Sequence, residues 1–246
     1  MVTLLFSLLI AGAFIGIFSG LRRALARTSW TPKRQRAVFI RALLVVVGWA
    51  ALCAGFALAG FFANFSALPP RMPLAILLPL PVVLIIVFSR GGKELLQAMP
   101  PHWVVYAQSM RIGVELVIWY AVIDGLMPVQ LSFEGRNFDI VTGLLAVPVG
   151  YYALVVRRWP VWVVVAYNLM GLGLLVNVLA LAFLSMPTPL RVFLNEPANT
   201  LVAYFPFVYL PGLLVPLAYT LHIVSLRQTV LLWKINSLGS YPKRAT

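Results

Sequence analysis

The chain has 246 residues, 62% of them hydrophobic and only 10% charged, with a mean hydropathy of +0.96. A soluble domain carries about 25% charged residues, so a soluble fold is excluded and one all-α, polytopic membrane domain over residues 1–246 is expected. The net charge of +13 is read as topology signal and attraction to anionic lipid at the cytoplasmic face, not as a nucleic-acid footprint.

A span needs roughly 20 mostly apolar residues, and seven stretches qualify, near 2–20, 38–62, 71–89, 103–126, 140–156, 161–185 and 202–226. In the first, the arginines follow the apolar run instead of preceding it, which favours a retained span over a cleaved leader. Gly12, Gly16 and Gly20 recur there every fourth residue and form a small-residue face suited to close helix packing, within the chain or with a second one. A basic segment with Trp30 follows, suited to docking on anionic lipid or a cytoplasmic partner. Cys53 in the second span is the only cysteine, so no disulfide or cysteine metal site can form within the chain. The third span carries Pro73, Pro79 and Pro81, each of which breaks the helical hydrogen-bond ladder.

The fourth span holds the main chemical signal. At 3.6 residues per turn, Glu115, Gln108 and Trp119 fall within about 80° of Arg111 around the helix. Ionisable groups at that depth are costly and mark a functional-site hypothesis by default. Arg111 and Glu115 are four residues apart and are expected to pair directly. The alternatives are a satisfied internal ion pair that fixes packing, a contact with another subunit, and a ligand or proton site. In the ligand reading Arg111 clamps an anion, Glu115 is its counter-charge and proton carrier, and Gln108 and Trp119 orient the ligand.

Asp124, Glu134, Arg136 and Asp139 form the densest mixed-charge cluster of the following outer loop. It is expected to act as an ordered lid, an outer gate or a partner epitope. Asn137 or Asp139 is placed to cap the fifth helix. In the sixth span Asn168 and Asn177 lie on opposite faces, with interhelical hydrogen bonds as their default. Gly143, Gly150, Gly171 and Gly173 permit close helix approach. The seventh span is interrupted by Pro206, Pro211, Gly212 and Pro216 and carries Tyr209, Tyr219 and His222, a pattern that transporters use at binding sites.

Cations set the orientation. With the N-terminus outside and the C-terminus cytoplasmic, the inner segments hold Arg22, Arg23, Arg27, Lys33, Arg34, Arg36, Arg41, Arg90, Lys93, Arg157, Arg158, Arg227, Lys234, Lys243 and Arg244. The outer loops hold only Arg71, Arg136 and Arg191. No lysine falls inside a span, which speaks against a retinal Schiff base. His102 and His222 are the only histidines, and no metal spacing, nucleophile elbow or phosphate loop accompanies them. No cofactor is assigned, and an enzyme is disfavoured. The reading is a transporter, channel or receptor in a bacterial cytoplasmic (inner) membrane, handling a small polar or anionic ligand or ion through Arg111 and Glu115. The alternative is a non-catalytic accessory subunit or assembly factor of a larger membrane complex. Other membrane subunits or a second copy of the chain are the protein partners it allows.

Overall fold

The computed structural model describes residues 1–237, with side chains to residue 232, and no strand occurs among them. The Lys234 side chain, Lys243 and Arg244 fall outside this description. Ten α-helices run in order: α1 Val2–Ala26, α2 Pro32–Leu58, α3 Met72–Leu77, α4 Pro79–Phe88, α5 Arg90–Ala98, α6 Pro101–Ala107, α7 Met110–Ile123, α8 Ile140–Val149, α9 Trp162–Leu184 and α10 Val215–Ser237.

Four helical stretches are long and apolar enough to cross a membrane: α1, α2, α9 and Leu210–Leu232. Their outward faces carry Leu4, Leu8 and Ile15 on α1 and Leu44, Val45 and Leu52 on α2, all exposed. Such surfaces suit a hydrocarbon solvent. The remaining expected spans are not single rods. The third breaks at Leu78, and the chain then turns by 75° into α5. The fourth breaks at Gln108 and Ser109, between α6 and α7. The fifth, Ile140–Val155, is a short apolar helix that ends in a π-helical segment from Gly150. The seventh begins as a 3-10 turn at Leu201–Ala203 and a π-turn at Leu210–Leu214 before α10.

Proline and its compensations explain the last of these breaks. Pro216 has no N–H to offer the carbonyl of Gly212, four residues earlier. Trp49 on α2 donates its indole N–H to that oxygen instead, at 2.7 Å. The approach is close enough that a Cβ on Gly212 would lie 3.0 Å from Cys53 Sγ, so α2 and the π-turn lock together there. On the neighbouring face Tyr219 Oη donates to Ile76 O at 3.1 Å and ties α10 to α3.

The basic segments gather at one end of the bundle. Trp30 donates to Glu94, Arg34 pairs with Glu94 at 3.4 Å, and Arg27 stacks over Trp103. Gln228 Nε2 donates to Leu96 O and Met99 O at 2.9 and 3.0 Å. The short helix α5 lies in this layer; Ser89 caps it by accepting from Gly92 N. At the opposite end the loops after α7 and α9 interlock. Gln130 donates to Ser185 Oγ at 2.8 Å and accepts from Asn195 at 2.8 Å. The principal core, which includes Phe6, Ile10, Ala57, Ile118, Val208 and Leu214, lies between these two ends.

Candidate functional site

Helix α7 presents Arg111 and Glu115 to the interior, where each is at most 2% exposed. They do not pair with each other. Arg111 forms its ion pair with Asp139, and its Nη1 also lies 3.5 Å from Gly171 O. Glu115 is held by Asn137, whose Nδ2 sits 2.9 and 2.8 Å from the two carboxylate oxygens and 2.9 Å from Leu131 O. The expected i,i+4 pair is thus replaced by two partners from the segment entering α8. The physical reason is that Asn137 and Asp139 sit two residues apart as this segment turns inward. Asn137 Oδ1 accepts from Asp139 N at 3.1 Å, which orients both side chains.

This also revises the outer loop. Asp139 is buried and leaves the mixed-charge cluster for the interior, and it makes no side-chain cap to α8. Asp124, Glu134 and Arg136 are exposed and form no ion pair among the described residues. Arg136 instead lies over the Phe193 ring at 5.6 Å, and its carbonyl accepts from Asn177 at 2.9 Å.

Gln108, at the break between α6 and α7, is 1% exposed and donates to Ala218 O at 3.3 Å. That bond ties the break to α10. Trp119 stands apart: it is half-buried and faces Phe133, with ring centroids 5.6 Å apart. The structure therefore brings Gln108, Arg111, Glu115 and Asp139 into the interior and leaves Trp119, Asp124, Glu134 and Arg136 outside this centre.

Two close helix approaches fix the geometry. A Cβ on Gly143 would meet Ile112 Cγ1 at 2.8 Å, so α8 lies directly against α7. A Cβ on Gly171 would meet the His222 ring at 2.4 Å, so α9 lies directly against α10. Beside these contacts runs a buried polar seam that sequence reading did not assemble. Thr142 Oγ1 donates to Asp139 at 3.4 Å, and Tyr167 Oη donates to Thr142 O at 3.0 Å. His222 Nδ1 and Asn168 Oδ1 are 2.9 Å apart, and Asn168 donates to Ser225 Oγ at 2.9 Å. The signal was present in α10, where His222, Ser225 and Thr229 share one helix face.

A cavity of about 90 Å³ adjoins the centre. Arg111, Glu115 and Asp139 form its polar wall, and the rest, all apolar, comes from α3, α7, α9, Met186, the 3-10 turn at Leu201–Ala203, the π-turn and α10. Arg111 Nε and Nη2, Gln108 Oε1 and His222 Nε2 are buried without a hydrogen-bond partner. Buried polar groups are ordinarily satisfied, so the guanidinium has donor capacity left, and Arg111 itself lines the cavity. Among the described residues no three His, Cys, Asp or Glu side chains gather as a metal site. Comparison with protein-family models, with curated proteins and with solved structures returns no match.

Proposed function

We propose that the chain is a seven-span protein of a bacterial inner membrane, N-terminus outside, that binds or transports a small polar ligand at Arg111. The span count is supported if broken rods cross as units: α3 with α4, α6 with α7, and α8 with its π-helical end. Helix α5 then lies at the cytoplasmic surface with the cation-rich layer, where anionic lipid is its partner.

One observation carries the ligand reading. Arg111 is almost wholly buried, lines a cavity and keeps two nitrogens unpartnered. A pair serving packing alone gains little over apolar residues of the same volume, and it has no use for free donors beside a cavity. Asp139 positions the guanidinium, and Glu115, anchored by Asn137, supplies a second carboxylate within reach of the same space.

The test uses the neutral double variant Arg111→Gln/Asp139→Asn. Removing one partner strands a buried charge at a cost of about 3–5 kcal/mol, whereas neutralising both does not. The double variant is therefore expected to accumulate and elute as a single species where each single variant accumulates poorly. Molecules co-purifying with the wild type from its own membrane, identified by native mass spectrometry, are expected to be lost from the double variant. Retention of the same molecules by a folded double variant removes the site reading.

A further inference from the structure

The geometry points to the ligand's chemical class: an uncharged carbonyl group, an ester or ketone, carried on a single hydrocarbon chain that reaches Arg111 sideways from the bilayer between α3 and α9. This rests on the ligand reading of the Arg111 centre and narrows it.

The unpartnered atoms choose the headgroup. Arg111 Nε and Nη2 are donors, so they call for an acceptor on the ligand. The charge is already matched, because Asp139 sits on Arg111 and Glu115 adds a second carboxylate to the same wall. A carboxylate or phosphate would be a further negative group beside Asp139 on one guanidinium in a medium that screens poorly. An ammonium has donors only, so it leaves Arg111 Nε and Nη2 unmet. A carbonyl oxygen satisfies the donors and adds no charge.

Size and walls choose the rest. A cavity of about 150 Å³ takes a benzene ring, and this one is about 90 Å³. It accommodates a small end group and excludes a substituted ring or a whole lipid. The body of the molecule must then project through the mouth. Ile76 on α3 and Val178, Leu179 and Phe183 on α9 line the cavity and are themselves half-exposed. The mouth therefore opens through apolar side chains between two helices read as membrane-spanning. A hydrocarbon chain passes there at no desolvation cost, whereas a water-soluble ligand does not.

Binding to the full-length protein in nanodiscs, with radiolabelled methyl laurate, laurate and dodecylamine as probes, tests the assignment. Methyl laurate is expected to saturate at one molecule per chain and to be displaced by 2-tridecanone, with laurate and dodecylamine weaker by about tenfold or more. Leu179→Trp, which blocks the mouth without touching the charged centre, is expected to weaken methyl laurate binding by about tenfold. Leu169→Trp, on the exposed face of α9, is expected to leave it unchanged. Laurate binding more tightly than its ester overturns the uncharged headgroup. Leu179→Trp binding as well as wild type overturns the lateral route. If no amphiphile binds while Arg111→Gln/Asp139→Asn still loses its co-purifying molecule, this inference fails and the site reading stands. If that variant also keeps its molecule, both fail.

Discussion

Asn137 spans the carboxylate of Glu115 with one amide nitrogen and steadies Asp139 through its oxygen. Asn137→Ala would leave a buried carboxylate without its donor, a loss of about 1–3 kcal/mol. A lowered thermal midpoint in detergent is expected, with partial recovery when Glu115→Gln removes the charge that needed the donor. A different residue reports on pH. Glu196, in the loop after α9, accepts from Arg191 at 3.0 Å and from Ala198 N at 2.7 Å. The Arg191 bond first, and the backbone bond second, hold its carboxyl below the usual carboxylate range. A carboxyl lowered in the folded state stabilises the loop at neutral pH, and that support is lost as pH falls through the lowered value. Arg191→Ala is expected to move the Glu196 titration upward, read by carboxyl carbon NMR. At this scale the sequence made half of the centre legible. Helical periodicity put Gln108, Arg111 and Glu115 on one face, and all three are buried. Periodicity within one helix carries no information about which neighbour comes opposite, so from the sequence Asp139 and Asn137 read as loop or helix-cap residues and not as the partners of Arg111 and Glu115.

Breaks in the rods follow the same division. Prolines marked the third and seventh stretches as interrupted, and both are. What hydropathy did not reveal is how the freed groups are satisfied. Pro216 and Gly212 are a local pattern, but Trp49, which closes the gap at 2.7 Å, lies 163 residues away in sequence. Trp49→Phe keeps the ring and removes the donor. It is expected to lower stability by about 1–3 kcal/mol through the orphaned carbonyl, measured as an earlier thermal transition with unchanged helical circular dichroism. The break at Gln108 had no proline or glycine to announce it; its place on α10 is set by the bond from Gln108 to Ala218 O. The glycines of α1 make a contrasting case. Gly12, Gly16 and Gly20 meet nothing within 4 Å, whereas Gly143, Gly150 and Gly171 sit against neighbouring side chains. Small residues thus signal close approach only where another helix arrives.

Charge asymmetry organises the molecule as a whole. The cationic segments converge at one end with Trp30, Trp103 and α5, and the loops after α7 and α9 close the other. If the cation-rich end is cytoplasmic, cysteines placed at Glu134 and at Lys93 in a Cys53→Ala background are expected to report opposite sides. A membrane-impermeant maleimide applied to intact cells should label the first and leave the second unlabelled until the cells are lysed. Labelling in the reverse order would overturn the proposed orientation. The α-helical class and the membrane setting were legible from composition because bilayer-facing surfaces must be apolar along their whole length. The short, bent pieces were not, because a continuous apolar run reads alike whether the backbone runs straight or turns.

The attachment of Arg111 to Asp139 also constrains how the polypeptide is made. Arg111 lies within the fourth hydrophobic stretch and Asp139 at the entrance to the fifth, 28 positions on. If the fourth stretch inserts as a span, its lone arginine costs about 2.5–3.5 kcal/mol at the translocon. That stretch is therefore ill suited to leave the translocation channel before Asp139 has arrived. Residues 101 to 155 are best released into lipid together, as a hairpin whose opposite charges have already met.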